Sequence, residues 1–171
     1  MKRKLFYLML AALLLAPWPV AYAYGNDAAG QNIADVAAAT PSAAPQWHAY
    51  GNAIGSVVPG DLFYVDTANT TADIPLTLYL TNTGELVHDY RYLTLNIGVY
   101  IQTGDRWEKA SAGNGTPLPE SYLTMLNGQV SLNLPGNARY KITIDKGCFY
   151  CHPGSPGQSA TSPAFYLAVE R

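Results

Sequence analysis

The residues of this 171-residue chain best suited to chemistry lie in one string, Cys148-Phe149-Tyr150-Cys151-His152, which holds its only two cysteines. Two thiols three positions apart, followed by an imidazole, spell the attachment of a c-type haem: the thiols bond the porphyrin vinyls and His152 ligates the iron. A sixth ligand would come from Met125, or from His48 or His88, and the haem would need an apolar crevice. The segment downstream of His152, residues 153–163, is instead rich in Pro, Gly and Ser. The same two thiols read equally as a local disulfide across a turn, the usual fate of a Cys pair in an oxidising compartment. A third option is that they stay reduced or bind metal, although zinc needs more ligands than Cys148, Cys151 and His152 supply. Disulfide and haem make one geometric demand. Strand residues three apart point to opposite faces, so a strand through Ile144 has to end near Gly147 and turn. The expectation is a Cys148–Cys151 disulfide with no cofactor, and haem c is the alternative.

Little else in the sequence suggests a reaction centre. His48 and His88 stand at no recognisable spacing from a Ser or Cys nucleophile, so no catalytic residue is named and a non-enzymatic protein is expected. Asp61, Asp66 and Asp73 could line one end of a domain and bind calcium, but they follow no loop pattern and read better as a solvated rim; no metal site is expected. Asn69-Thr70-Thr71 and Asn114-Gly115-Thr116 fit the glycosylation sequon. Exposed Tyr residues and Trp107 would suit carbohydrate binding, whereas Tyr79, Tyr100 and Tyr166, on the polar phase of their strands, read equally as cross-strand pairs.

Composition limits what can position these groups. The chain is 49% hydrophobic and only 13% charged, about half the usual charged quarter, which excludes a disordered chain, a coiled coil and a basic nucleic-acid binder. Lys2-Arg3-Lys4, an apolar run over residues 5–15 and the small-residue site Ala21-Tyr22-Ala23 have the layout of a secretory signal. Cleavage after Ala23 removes three cations and takes the formal charge from −2 to −5, a surface that does not seek phosphate or anionic lipid. The expected location is secreted, cell-surface or periplasmic, with no membrane span after cleavage and no nucleic-acid partner.

Three regions follow: a signal over 1–23, an Ala-rich arm or linker over 24–57, and a domain over 58–171. Within the arm, a short helix over 33–39 is favoured by Ala propensity but marginal at that length. Beyond residue 60 the apolar pattern has period two. Leu76, Leu78 and Leu80 alternate with polar residues, as do Leu93 through Ile101, Val130 to Leu134, Tyr140 to Ile144, and Phe165 to Val169. Phe63 and Val65 begin another strand, and residues 122–126 form one more. Turn-forming groups, among them Asn82-Thr83-Gly84 and Thr103-Gly104-Asp105, separate them, and Asn127-Gly128 is the strongest hairpin cue, predicting that 122–126 pairs with 129–134. About seven short strands, and no visible helix to connect parallel ones, predict an all-β antiparallel sandwich, immunoglobulin-like or jelly-roll-like. The predicted core is Leu78, Leu95, Ile97, Val99, Leu132, Ile142, Ile144 and Leu167.

Two resemblances add to this reading. Leu134-Pro135 followed by Tyr140-Lys141-Ile142-Thr143-Ile144 resembles the corner of fibronectin type III and other immunoglobulin-like domains, with Tyr140 as the corner tyrosine. Val58-Pro59-Gly60-Asp61, PLTLYLTN from Pro75, Gly84-Glu85-Leu86 and YRYLTLNIGVY from Tyr90 are similar to exported fibre-subunit domains of the TasA/camelysin kind. That resemblance implies a jelly-roll-like structural subunit whose N-terminal arm pairs with a neighbour's sheet. Its partners would be further copies of itself or surface proteins. Independently of it, open sheet edges accept added strands.

Overall fold

The computed structural model describes residues 21–24, 35–38, 47–50, 54–57, 59–110, 121–153 and 161–169. The basic and apolar parts of the expected signal and the Asn114 sequon lie outside these residues. Twelve strands occur among the described residues, in two sheets: β1 Ala21–Tyr24, β2 Asp35–Ala38, β3 Trp47–Tyr50, β4 Ile54–Val57, β5 Gly60–Asp66, β6 Ile74–Leu80, β7 Tyr90–Thr103, β8 Arg106–Lys109, β9 Ser121–Thr124, β10 Gln129–Leu134, β11 Arg139–Cys151 and β12 Phe165–Val169. One helix, α1 Thr83–Asp89, links β6 to β7.

The eight-stranded sheet is built on two long strands. β11 pairs antiparallel along its length with β7, and on its other side with β5 and then β4. β2 extends the sheet beyond β5 and β3 beyond β4, while β8 and β9 flank the far side of β7. The smaller sheet runs β1-β12-β6-β10. Alternation places Leu76, Leu78, Phe165 and Leu167 of one sheet in a single buried cluster with Phe63, Leu95, Ile97, Ile142 and Ile144 of the other. Each such side chain contributes about 1.5 to 3 kcal/mol by leaving water. The all-β sandwich is therefore as the period-two pattern implied. Leu132 alone of the predicted core is only partly buried, because β10 lies at the end of its sheet.

Four local expectations are corrected. First, the hairpin over Asn127-Gly128 does not form: β9 joins β7 in the large sheet, whereas β10 joins β6 in the small one. Only Gly128 has positive φ there. The Asn127 side chain accepts from Thr124 N–H and donates to Tyr122 C=O, and Gly128 N–H donates to Thr124 C=O, which makes a wider turn that carries the chain between sheets. Second, Asn82-Thr83-Gly84 opens α1 rather than a turn. Its Leu86 is fully buried, and that one apolar contact fixes a helix too short to hold by propensity. Third, the segment expected as an arm or linker contributes β2, β3 and β4, and residues 35–38 are strand, not helix. Pairing of β2 with β5 gives its backbone groups partners along an established strand, whereas an isolated helix of this length is marginal. Fourth, β1 lies parallel to β12, a pairing that needs a long connection and here has nearly the whole chain between its partners.

The corner expected at Tyr140 is present. Its ring is buried and its hydroxyl donates to Pro135 C=O at 2.9 Å.

Candidate functional site

The Cys-x-x-Cys-His string is the end of a strand. β11 does not stop near Gly147 but continues to Cys151, paired with β4 through Tyr150 and with β7 through Cys151. Cys148 consequently projects from the outer face of the sheet, and Cys151 is buried in the core. Three strand residues span roughly 10 Å between Cα atoms, whereas a disulfide needs about 7 Å or less. The two thiols are free, and the expected disulfide does not fit this backbone. Haem fares no better, since thiols on opposite faces of a sheet cannot both reach one porphyrin edge. The other proposed ligands are scattered: Met125 packs against the core beyond β9, His88 is exposed on α1, and His48 sits on β3. Native protein should therefore take one iodoacetamide adduct, at Cys148, and a second at Cys151 only after unfolding. Burial also pushes the Cys151 thiol pKa up, which reinforces the contrast. Peptide mass mapping reads the result, and a native protein that resists alkylation until reduced would restore the disulfide.

His152 has a structural role instead. Its N–H donates to Asp89 C=O at 2.9 Å and its Nε2 lies 3.2 Å from Val87 C=O, so it pegs the end of β11 to the C-terminus of α1. The other side of α1 holds the chain entering β12. Asp89 accepts from Thr161 N–H, Tyr90 donates to Thr161 C=O, and Asn82 bonds both Ser162 C=O and Ala164 N–H. The Thr161 hydrogen bonds, with smaller help from His88 and His152, hold the Asp89 carboxyl below its usual pKa. Asp66, bonded by Ala68 N–H and paired with Arg139, is lowered too. A carboxyl depressed in the fold stabilises it above the unfolded-state pKa and loses that contribution as pH falls through the folded value. Melting temperature should fall as the pH drops through and below the ordinary carboxylate range, less steeply in Asp89→Asn than in wild type. Identical slopes would show that the Asp89 clasp is energetically silent.

Three acids considered for calcium are each engaged separately: Asp61 with Lys141, Asp66 with Arg139, and Asp73 with Asn133. No group of three or more potential metal ligands occurs among the described residues.

The densest polar arrangement lies on the outer face of the eight-stranded sheet, where the sequence offered only a Tyr-rich polar phase. Tyr64, Lys141, Tyr100 and Lys109 occupy one cross-strand row on β5, β11, β7 and β8, with Trp107 in the next row. Lys141 Nζ lies 3.2 Å from Asp61 Oδ1, 5.4 Å from the Tyr100 ring centroid and 5.5 Å from that of Trp107. Tyr64 donates to Asp61 Oδ2 at 2.9 Å. Asp145, set out of register by a bulge in β11, accepts from Thr143 and bonds Tyr100. It folds over Gly98, where a Cβ would collide with its carboxylate. Burial and the nearby carboxylates raise the pKa of both Tyr64 and Tyr100, so both hydroxyls remain protonated donors. Tyr79 and Tyr166, by contrast, are the cross-strand pair anticipated, with ring centroids 6.1 Å apart.

No protein-family model matches this chain, and no curated protein matches it in sequence. Its function has to be argued from its own surfaces and edges. No helix among the described residues is long and apolar enough to cross a membrane. The four-stranded sheet carries little guard at its β10 edge or on β12, the strand that lies between β1 and β6. β10 reads QVSLNL and β12 reads FYLAV, neither has a charge or a Pro, and both pair with β6 in unbroken register. Free edges usually carry charges, Pro or bulges. β8, on the other sheet, reads RWEK and follows that rule.

Proposed function

We propose that this chain is an exported, non-enzymatic β-sandwich subunit that assembles at the cell surface or beyond it, each copy adding its N-terminal segment to a sheet edge of the next. The observation that carries this reading is the position of β1. Its four residues straddle the expected cleavage point, so removal of Ala21, Tyr22 and Ala23 would take from β12 its partner on the side away from β6 and leave an uncharged edge. The segment that follows has the right behaviour for a donor, since β2 already adds to the edge of β5. Exchange of such a strand between copies replaces one set of main-chain hydrogen bonds by an equivalent set and costs little. A donor at one end and an acceptor edge elsewhere make a head-to-tail contact, which propagates as a fibre unless the rotation closes a ring. The resemblance of residues 58–102 to TasA/camelysin-type subunits points the same way.

The test uses mature protein starting at Tyr24, a form lacking residues 24–50, and Ala168→Lys, which puts a charge on the outer face of β12. Light scattering should find high-molecular-weight species for the mature chain alone, with the other two monomeric and β-rich by circular dichroism. A mature chain that stays monomeric at high concentration, or variants that assemble as well as it does, would sink the reading.

A further inference from the structure

We propose that the outer face of the eight-stranded sheet is a saccharide-binding platform formed by Tyr64, Tyr100 and Trp107, with Asp61 and Lys141 as its polar groups. This goes beyond assembly and does not depend on it, because the acceptor edge belongs to the other sheet.

The first support is geometric. β5 and β8 are separated by β11 and β7, three strand intervals or roughly 14 Å, yet the Tyr64 and Trp107 ring centroids are 5.9 Å apart. Both side chains therefore lean inward across the intervening strands and lie over Lys141, instead of standing upright from the sheet. The Lys141 ammonium sits beneath the aromatic group, against Tyr100 and Trp107. Trp107 is half-buried and Tyr64 is 38% exposed, so the pair presents aromatic surface to solvent.

The second is preorganisation. Asp61 ties Lys141 and Tyr64 together, while Asp145 fixes Tyr100. Rings held like this lose little rotamer freedom on binding, which is where much of an exposed aromatic site's affinity otherwise goes.

The third is chemical class. Lys141 and Asp61 neutralise one another, so the site has no net charge with which to attract phosphate or a basic peptide, and the cation–π position is already filled from within. What remains is flat apolar area edged by the Asp61 carboxylate and phenol hydroxyls, with the Lys141 ammonium beneath it. A pyranose matches that pattern: its axial C–H face packs on a ring and its equatorial hydroxyls reach the polar rim.

The experiment titrates mature protein with soluble hexasaccharides of β-1,4-linked glucose, β-1,4-linked N-acetylglucosamine, β-1,3-linked glucose and α-1,4-linked glucose, read by tryptophan fluorescence and calorimetry. At least one should bind saturably, with affinity falling by about tenfold or more in Trp107→Ala and in Tyr64→Ala. Tyr79→Ala, on the outer face of the other sheet, should bind as wild type does. No saturation by any of the four in the millimolar range overturns the proposal, as does binding that persists in a Tyr64→Ala/Trp107→Ala double variant of unchanged circular dichroism.

Discussion

Ile97→Ala is expected to lower the free energy of unfolding by about 2 to 5 kcal/mol, and Thr94→Ala, three residues earlier on the same strand, by about 0.5 kcal/mol or less. Ile97 lies mid-way along β7, opposite Ile144 of β11, and is 3% exposed within the cluster that joins the two sheets. Truncation there removes buried methyl groups and leaves a cavity that close-packed neighbours fill only partly. Thr94 faces outward beside Cys148 and Thr124, where solvent replaces whatever is cut away. Urea titration at constant m-value separates the two. Equal sensitivity would mean that the phase of β7 is reversed, and with it the assignment of Tyr100 to the outer face.

Gly136→Ala is expected to destabilise by about 3 kcal/mol or to prevent folding, from overpacking together with lost hydrogen bonds. A Cβ at this position would overlap the Thr70 carbonyl oxygen and come within 2.8 Å of Ala72 O and 2.9 Å of Thr71 C. All three are backbone atoms, so no side-chain rotation relieves the contact. The segment they belong to is strapped to the corner: Asn137 N–H donates to Thr67 C=O and Thr70 C=O, Ala138 N–H donates to Thr67 Oγ1, and Thr67 N–H donates to Ala138 C=O. Asn137 itself sits at φ 60°, a left-handed conformation that Asn tolerates better than most residues. Pushing the segments apart would break several of these bonds together. Tyr140→Phe offers the contrast, because Pro135 C=O still accepts from Thr67 Oγ1 when the phenol hydroxyl is lost. Its cost should be about 1 kcal/mol. Thermal or urea unfolding of both variants reads the order, and a milder effect for Gly136→Ala than for Tyr140→Phe would show that the corner yields freely.

The two variants also mark different depths of information in the sequence. That Ile97 is buried follows from alternation along a single strand. The constraint on Gly136 does not, since the atoms it would strike belong to a segment more than sixty positions earlier, and a glycine beside Pro135 reads only as a turn.

The same division runs through the candidate sites. Tyr64, Tyr100 and Trp107 each stand on a polar phase, which is enough to place them on a sheet surface. Their convergence over Lys141 depends on β5, β11, β7 and β8 being consecutive in the sheet. Nothing local announces that β8 follows β7 while β9 sits farther along the same edge. Cys148 and Cys151 mislead for the opposite reason. Their spelling matches a chemistry that needs a turn, but β11 is paired with β4 through Tyr150 and with β7 through Cys151, which keeps the chain in a strand across the string.

What the sequence determined by itself is therefore what period-two patterning and turn chemistry can encode: an all-β domain, the buried phase of its main strands, the turn at Gly104 and the corner at Tyr140. Each depends on residues within a few positions of one another. Strand order, the crossing of the chain between sheets after Thr124, the docking of α1 through Leu86 and the placing of the two thiols on opposite faces were decided only in the tertiary structure. A strand exposes the same backbone donors and acceptors to every potential neighbour. The choice among neighbours is made by how well the buried faces fill the space between two sheets, a property of the whole packed chain and of no single segment.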